Sequence, residues 1–144
     1  MVKTYSAKAG EIIRDWWLVD ATDQTLGRLS AKLAMILQGK NKPVYTPNID
    51  TGDFVVVVNV EKMRITGRKL DQKIYFRHTG YSGGQRATSM RDMMNNHPER
   101  VLTHAVKGML PKNRLSSAQL KKLKIFSGPE HTHAAQQPRV LEIK

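Results

Sequence analysis

The sequence feature that most constrains the fold is an uninterrupted run of five apolar residues, Phe54–Val58, four of which are valines. Valine favours strands because its branched side chain packs well on a pleated surface. A strand with one face in water alternates apolar and polar residues, whereas a strand that is covered on both faces does not. The run therefore predicts a central strand of a mostly parallel sheet.

A shorter strand and a helix are predicted before this run. Residues 16–19 are bulky and do not alternate, which again indicates a covered strand. Apolar residues then recur at helical spacing, at Leu26, Leu29, Leu33, Ile36 and Leu37. We expect this helix to open at Asp20 or Thr22 and to end at Gly39, which suits a left-handed C-terminal residue. Strand, helix and strand together form a right-handed βαβ unit.

The rest of the chain predicts a third strand at residues 73–78, two helices and a short basic helix. Ser89 with Asp92 is a capping pair for the first helix, Pro98 opens the second, and Ser116 with Gln119 caps the third. A last short strand is predicted at residues 125–126. The predicted fold class is α/β, a three-layer α/β/α domain with a mostly parallel sheet of about four strands and basic loops. We expect one domain over residues 1–144, with a polar arm at 1–14 and an extended tail at 127–144.

The net charge of +12 belongs to one segment of the chain. From Lys62 to Lys124 there are fifteen basic and three acidic residues, while the remainder carries nine of each. Such a field attracts a polyanion, and this indicates RNA or DNA. The chain has no cysteine, which excludes disulfides and thiolate chemistry. The polar N-terminal segment and the short apolar run predict a cytoplasmic protein without a signal peptide or membrane span.

The densest basic stretch covers residues 107–114 and continues to Lys121, Lys122 and Lys124. A helix dipole accounts for cations such as Lys107 and Lys112 near a helix C-terminus. It does not account for Arg114 and the lysines that follow, whereas contacts to phosphates do. We therefore expect phosphate binding here, with an ordinary solvated surface as the alternative.

A second candidate surface surrounds the glycine-rich loop at residues 81–84. Arg77, His78 and Tyr81 can stack on unpaired bases or contact phosphates, whereas Ile74 and Phe76 are expected to face the core. The glycines do not form a G-x-G-x-x-G motif, which argues against a dinucleotide site.

An enzyme is the alternative function. His131 and His133, together with Asp50 and Asp53, could hold a divalent metal in a nuclease. Their spacing is loose and no helical H-E-x-x-H motif frames them, so contacts from the two histidines to RNA are favoured. No G-x-S-x-G motif is present either.

Several motifs occur in a fixed order along the chain: WWLVDAT at 16–22, TLGRL at 25–29, YTPN at 45–48, DTGD at 50–53, HTGY at 78–81, PERV at 98–101, AVKGMLPK at 105–112 and EHTHAAQQP at 130–138. Together they resemble the bacterial large-subunit ribosomal protein thirteen family over nearly the whole chain. The resemblance implies a three-layer α/β fold, a structural role in the large ribosomal subunit, an early part in its assembly and no catalysis.

The resemblance also implies that the basic motif at 107–112, the loop at 78–81 and His131 with His133 contact large-subunit rRNA, and the charge pattern adds the other cations. The expected rRNA-binding residues are Arg64, Arg68, Lys69, Arg77, His78, Tyr81, Arg86, Lys107, Lys112, Arg114, Lys121, Lys122, Lys124, His131 and His133. Neighbouring ribosomal proteins are expected partners and mRNA is a further candidate. We expect no metal, cofactor, membrane or homo-oligomer. A regulatory RNA-binding protein that acts away from the ribosome has the same sequence features and remains an alternative.

Overall fold

The computed structural model describes residues 5–143, so the first four residues of the predicted arm and Lys144 of the predicted tail lie outside the described part. The strands are β1 (Trp16–Asp20), β2 (Phe54–Val58), β3 (Ile74–His78), β4 (Gln85–Ser89), β5 (Leu123–Ile125) and β6 (Arg139–Val140). The helices are α1 (Leu26–Gln38), α2 (Lys69–Gln72), α3 (Met90–Asn96), α4 (Pro98–Met109) and α5 (Arg114–Leu120), with 3-10 turns at Val60–Lys62 and Ala134–Gln136.

Strand β2 is central in a parallel sheet with the strand order β5-β2-β1-β6. It pairs with β1 on one side and with β5 on the other. Val55, Val56 and Val57 are fully buried, which explains why the run shows no polar alternation. The predicted α/β class and the parallel four-stranded sheet are confirmed.

The two faces of the sheet are covered differently. Val19, Val55 and Val57 share one face and pack in a core with residues of α1 and α4. On the opposite face Trp16 stacks on Phe54 with 4.4 Å between the ring centroids. The ring of His133, in the tail segment, lies 5.3 Å from that of Trp16. His133 of the tail thus packs on the sheet face away from the helices, whereas Leu141 and Ile143 pack against the main core.

Helix α1 begins later than expected, at Leu26. The Asp20 carboxylate accepts hydrogen bonds from the amide and the hydroxyl of Thr22, at 2.9 and 2.7 Å. These bonds close a turn, and Asp23 then has a φ of 57°, which a right-handed helix does not allow. The C-terminal prediction is confirmed, because Gly39 has a φ of 80° and its amide donates to the Ile36 carbonyl at 3.0 Å.

One strand of the predicted sheet was assigned wrongly from sequence. Strand β3, expected in the parallel sheet, pairs instead with β4 in a separate antiparallel hairpin. The missing strand is β6, two residues within the predicted tail, which pairs with β1. A two-residue strand is too short to show a period of two, so its pattern gave no signal.

The helix boundaries after the hairpin follow local capping. The Ser89 hydroxyl accepts the Asp92 amide at 3.1 Å and α4 starts at Pro98, both as predicted. Helix α5 is capped by Asn113, not by Ser116, because the Asn113 side chain accepts the Ser116 amide at 2.8 Å. The predicted last strand at 125–126 is β5, which ends at Ile125.

The N-terminal segment has no helix or strand over residues 5–14. It is nevertheless anchored. Ala7 is buried and its amide donates to the Thr46 hydroxyl at 3.2 Å, while Lys42 Nζ donates to the Ile13 carbonyl at 2.9 Å. The arm therefore packs on the loop between α1 and β2.

Candidate nucleic-acid interface

A cleft of about 680 Å³ separates the end of α4 from the start of α5. Helix α4 stops at Met109 because Pro111 has no amide hydrogen to continue it. Asn113 then starts α5 with a capping box, and the short connection leaves the cleft between the two helices. Its floor is partly apolar, and its lining includes Lys107, Lys112 and Arg114. The structure thus brings together three of the cations expected to bind RNA.

The β3–β4 hairpin forms a second basic surface. Arg77 lies directly opposite Arg86 in the antiparallel register, and both side chains are exposed. Like charges in this position destabilise a hairpin unless an anion lies between or above them. Alternation along the strand places Tyr75 on the same face, and its ring lies 5.5 Å from that of His104 in α4. Since His104 also lines the cleft, the arginine pair lies on the side of the hairpin that faces α4.

The opposite face and the tip of the hairpin carry exposed rings. Phe76, predicted to face the core, is 67% exposed, and Ile74 is also exposed. The expectation for these two residues is wrong because the hairpin lies outside the main sheet, and Tyr75 alone of the three packs on the core. Tyr81 at the tip is 81% exposed, while His78 Nδ1 accepts the Gly80 amide at 2.9 Å.

The segment before the hairpin places three further predicted cations on the surface. Arg64, Arg68 and Lys69 are all exposed. Lys69 is the first residue of α2, a short helix that contacts α3 and β4. This basic segment therefore adjoins the base of the hairpin.

Most cations of the basic segment have no intramolecular counter-ion. Two of the fifteen Lys and Arg side chains between residues 62 and 124 form ion pairs, Arg91 with Asp71 and Lys122 with Asp50. For the other thirteen, no carboxylate oxygen lies within 4 Å among residues 5–143. Their charge is available to an external anion.

Lys122 is not part of this exposed set, contrary to the sequence-based expectation. The residue is 5% exposed, and its ammonium group donates to Asp50 at 2.6 Å and to the Gly52 and Leu37 carbonyls at 2.8 and 3.3 Å. Burial lowers the pKa of Lys122 from its ordinary value, and the Asp50 carboxylate opposes that shift. All three ammonium hydrogens are used within the protein, so Lys122 stabilises the fold and has none left for a phosphate.

Lys124, His131 and His133 lie apart from the cleft. Lys124 pairs with Val56 and so shares the sheet face opposite the helices. His131 and His133 are half-buried, with ring centroids 6.3 and 5.9 Å from that of Phe126. The structure therefore separates these three residues from the cleft and the arginine pair.

Comparison with known proteins decides the family. The family model described as "Ribosomal protein L13" matches residues 14–132. "Large ribosomal subunit protein uL13" of Roseiflexus sp. (strain RS-1) is 59% identical over 141 residues, which are 98% of this chain and 97% of that protein. The proteins with the same name from Chromobacterium violaceum and Clostridioides difficile are 59% and 56% identical over 142 and 143 residues, in each case 99% of this chain and 100% of the relative.

The chain belongs to the ribosomal protein L13 family. The resemblance found in the sequence motifs is thereby confirmed. As a member of the L13 family the protein has a structural and not an enzymatic role. Within residues 5–143, no helix is both long enough and apolar enough to cross a membrane.

The geometry around the aspartates also argues against a metal-dependent nuclease. Asp53 is buried, where it accepts hydrogen bonds from the Asp15 amide at 2.9 Å, from Trp17 Nε1 at 3.1 Å and from Lys42. Asp50 is bound by Lys122. Nowhere in the described part of this L13-family chain do three or more His, Asp or Glu side chains converge as metal ligands.

Phe76 is the candidate residue that sequence reasoning missed. Three consecutive apolar residues, Ile74, Tyr75 and Phe76, lie between Lys73 and Arg77, so alternation alone allows either face to be the buried one. A signal was nevertheless present. Arg77 lies two residues after Tyr75 and so shares its strand face, which places Phe76 on the other face. Gly80 follows Arg77 by three residues, and a hairpin that ends in a glycine-rich loop need not join the main sheet.

Proposed function

We propose that this chain binds large-subunit rRNA through the surface formed by the α4–α5 cleft, the β3–β4 hairpin and the segment before α2. The observation that carries the proposal is the set of thirteen cations without a carboxylate partner among residues 5–143, several of which converge on these elements. Arginine and lysine side chains that face no internal counter-ion are the groups that neutralise phosphates.

The proposed mechanism is relief of charge repulsion both within the protein and between segments of the RNA. Arg77 and Arg86 repel each other in the free hairpin, and a phosphate bound by both guanidinium groups removes that repulsion. In the same way, Lys107, Lys112 and Arg114 around the cleft neutralise phosphates of RNA helices that otherwise repel each other. RNA segments then pack closely, which supports early assembly of the subunit.

The role in the cell follows from the family and this surface. The protein is a structural component of the large ribosomal subunit, and the ribosome is its location. Its partners there are rRNA and neighbouring ribosomal proteins. We expect it to act as a single copy without a homo-oligomer, and we retain mRNA as a further candidate ligand of the same surface.

We also propose that residues 1–144 form one domain. One continuous core joins the sheet residues Val19 and Val57 to Leu33 of α1, Met90 of α3 and Leu102 of α4. The arm and the tail both pack on this body through Ala7 and His133.

The test is binding of a large-subunit rRNA transcript over a series of salt concentrations. We expect Lys112→Ala and Arg114→Ala each to weaken binding and to reduce the slope of log K against log salt by about 1, because each removes one phosphate contact. Arg91→Ala is the matched control, since Arg91 is also exposed but is already paired with Asp71. Unchanged slopes for both cleft variants, or an equal loss for Arg91→Ala, would contradict the proposal.

A further inference from the structure

The outer face of the β3–β4 hairpin exposes an aromatic ring that nothing in the described chain covers. Phe76 is 67% exposed, and its cross-strand partner is Ala87, whose methyl group shields little of the ring. Ile74, on the same face, is also exposed, and Tyr81 projects from the tip. The hairpin forms a two-stranded sheet of its own and is not part of the four-stranded sheet.

The surroundings of this ring favour a polyanion over an acidic or neutral partner. Residues 74–89 contain two arginines and one histidine but no aspartate or glutamate. The two arginines lie opposite each other on the other face of the same hairpin. A strand of RNA is the polyanion that also offers flat apolar surfaces, its unpaired bases.

We infer that Phe76 is a stacking platform for an unpaired base of the bound RNA, with Tyr81 as a second ring at the hairpin tip. This inference rests on the proposed function and adds the class of RNA that the hairpin takes, which is single-stranded. The hairpin is then held from two sides. Phosphates contact the arginine pair on the face toward α4, and a base contacts Phe76 on the outer face.

The experiment compares Phe76→Leu and Phe76→Tyr in binding to a single-stranded RNA oligomer that contains 2-aminopurine and to a fully paired RNA duplex of equal length. We expect Phe76→Leu to weaken binding of the single strand by about 5- to 150-fold, the effect of losing one stacked base. The salt slope should stay unchanged, because no charge is removed. Phe76→Tyr, which retains a ring, should bind as the natural protein does and quench 2-aminopurine equally.

Several outcomes overturn the inference. If Phe76→Leu binds the single strand as tightly as the natural protein does, the ring is not used for binding. If Phe76→Leu loses as much affinity for the duplex as for the single strand, the ring does not select unpaired bases. If Phe76→Leu binds RNA normally but fails to enter large subunits, the exposed face with Phe76 binds a protein partner instead. If the natural protein shows no salt-dependent binding to either RNA, the proposed function fails as well. Because Phe76 is exposed, unchanged thermal unfolding of Phe76→Leu serves as the check on folding.

Discussion

Two adjacent lysines show how much a single residue's surroundings decide its role. Lys121 and Lys122 follow α5 directly and are indistinguishable in the sequence. Lys121 is exposed, whereas the ammonium group of Lys122 is enclosed by Asp50 and two backbone carbonyls. One charge is available to RNA and the other joins three parts of the fold, namely the end of α1, the following loop and the start of β5.

We predict opposite effects for substitutions at these two positions. Lys122→Met should lower the free energy of unfolding by roughly 3–5 kcal/mol, because it leaves Asp50 and the two carbonyls without their donor. Lys121→Met should leave unfolding unchanged and reduce the salt slope of RNA binding by about 1. Denaturant unfolding and the rRNA binding series measure the two effects. A stable Lys122→Met protein with weakened RNA binding would contradict this assignment.

At the level of elements, the loop between α1 and β2 is fitted closely to the end of α1. The amide of Gly39 donates to the last turn of α1 and ends the helix. Gly52 lies so near to the end of α1 that a β-carbon at position 52 would overlap the Leu37 carbonyl. Lys122 Nζ reaches the same place and donates to both Leu37 and Gly52. Glycine is therefore required at position 52 by close approach of two backbones, not by its own dihedral angles.

We predict that Gly52→Ala destabilises the protein by at least about 3 kcal/mol, because a methyl group there must displace either α1 or the loop. Gly27→Ala is the matched control, since a β-carbon at Gly27 in α1 meets no neighbour. That variant should be as stable as the natural protein or slightly more stable, since alanine favours helix. Thermal unfolding of both variants provides the comparison, and equal stabilities would show that the loop adapts without cost.

The elements also show where sequence patterns suffice. The valine run, the stripe of α1 and Pro98 at the start of α4 predicted their elements because each signal is local and strong. Strand β6 and the burial of Lys122 were not predictable in this way. Both depend on contacts with residues far away in the sequence, Trp17 for β6 and Asp50 for Lys122. The positive charge of the candidate surface was evident from the sequence. The exposure of Phe76 could be recognised only once the position of the hairpin outside the main sheet was known.

At the scale of the whole molecule, we expect the net charge of +12 to make folding and the proposed RNA binding respond to salt in opposite directions. Screening by salt relieves repulsion among the cations that have no carboxylate partner and so favours the compact free protein. The same screening weakens their attraction to phosphates. We therefore expect the free protein to be stabilised by conditions that weaken the proposed binding.

We predict that raising sodium chloride increases the melting temperature of the free protein by about 3 °C while it lowers affinity for the rRNA transcript. A shift of this size corresponds to about 1 kcal/mol for a domain of this length. Chloride is the appropriate anion, because sulfate stabilises proteins by exclusion from their surface regardless of charge. A melting temperature that falls or stays constant as salt increases would show that repulsion does not limit the stability of the fold.

The position of β6 has a consequence for the order in which the molecule can be completed. Strand β1 forms near one end of the chain, yet one of its two neighbours is β6, more than a hundred residues later in synthesis. Strand β5, the other outer strand, is also made late. Until β5 and β6 are made, the β1–β2 pair has both edges open, although α1 and α4 can already cover one of its faces. The four-stranded sheet is complete only after residues 139–140 have been synthesised, so folding of this sheet must lag behind synthesis of β1 and β2.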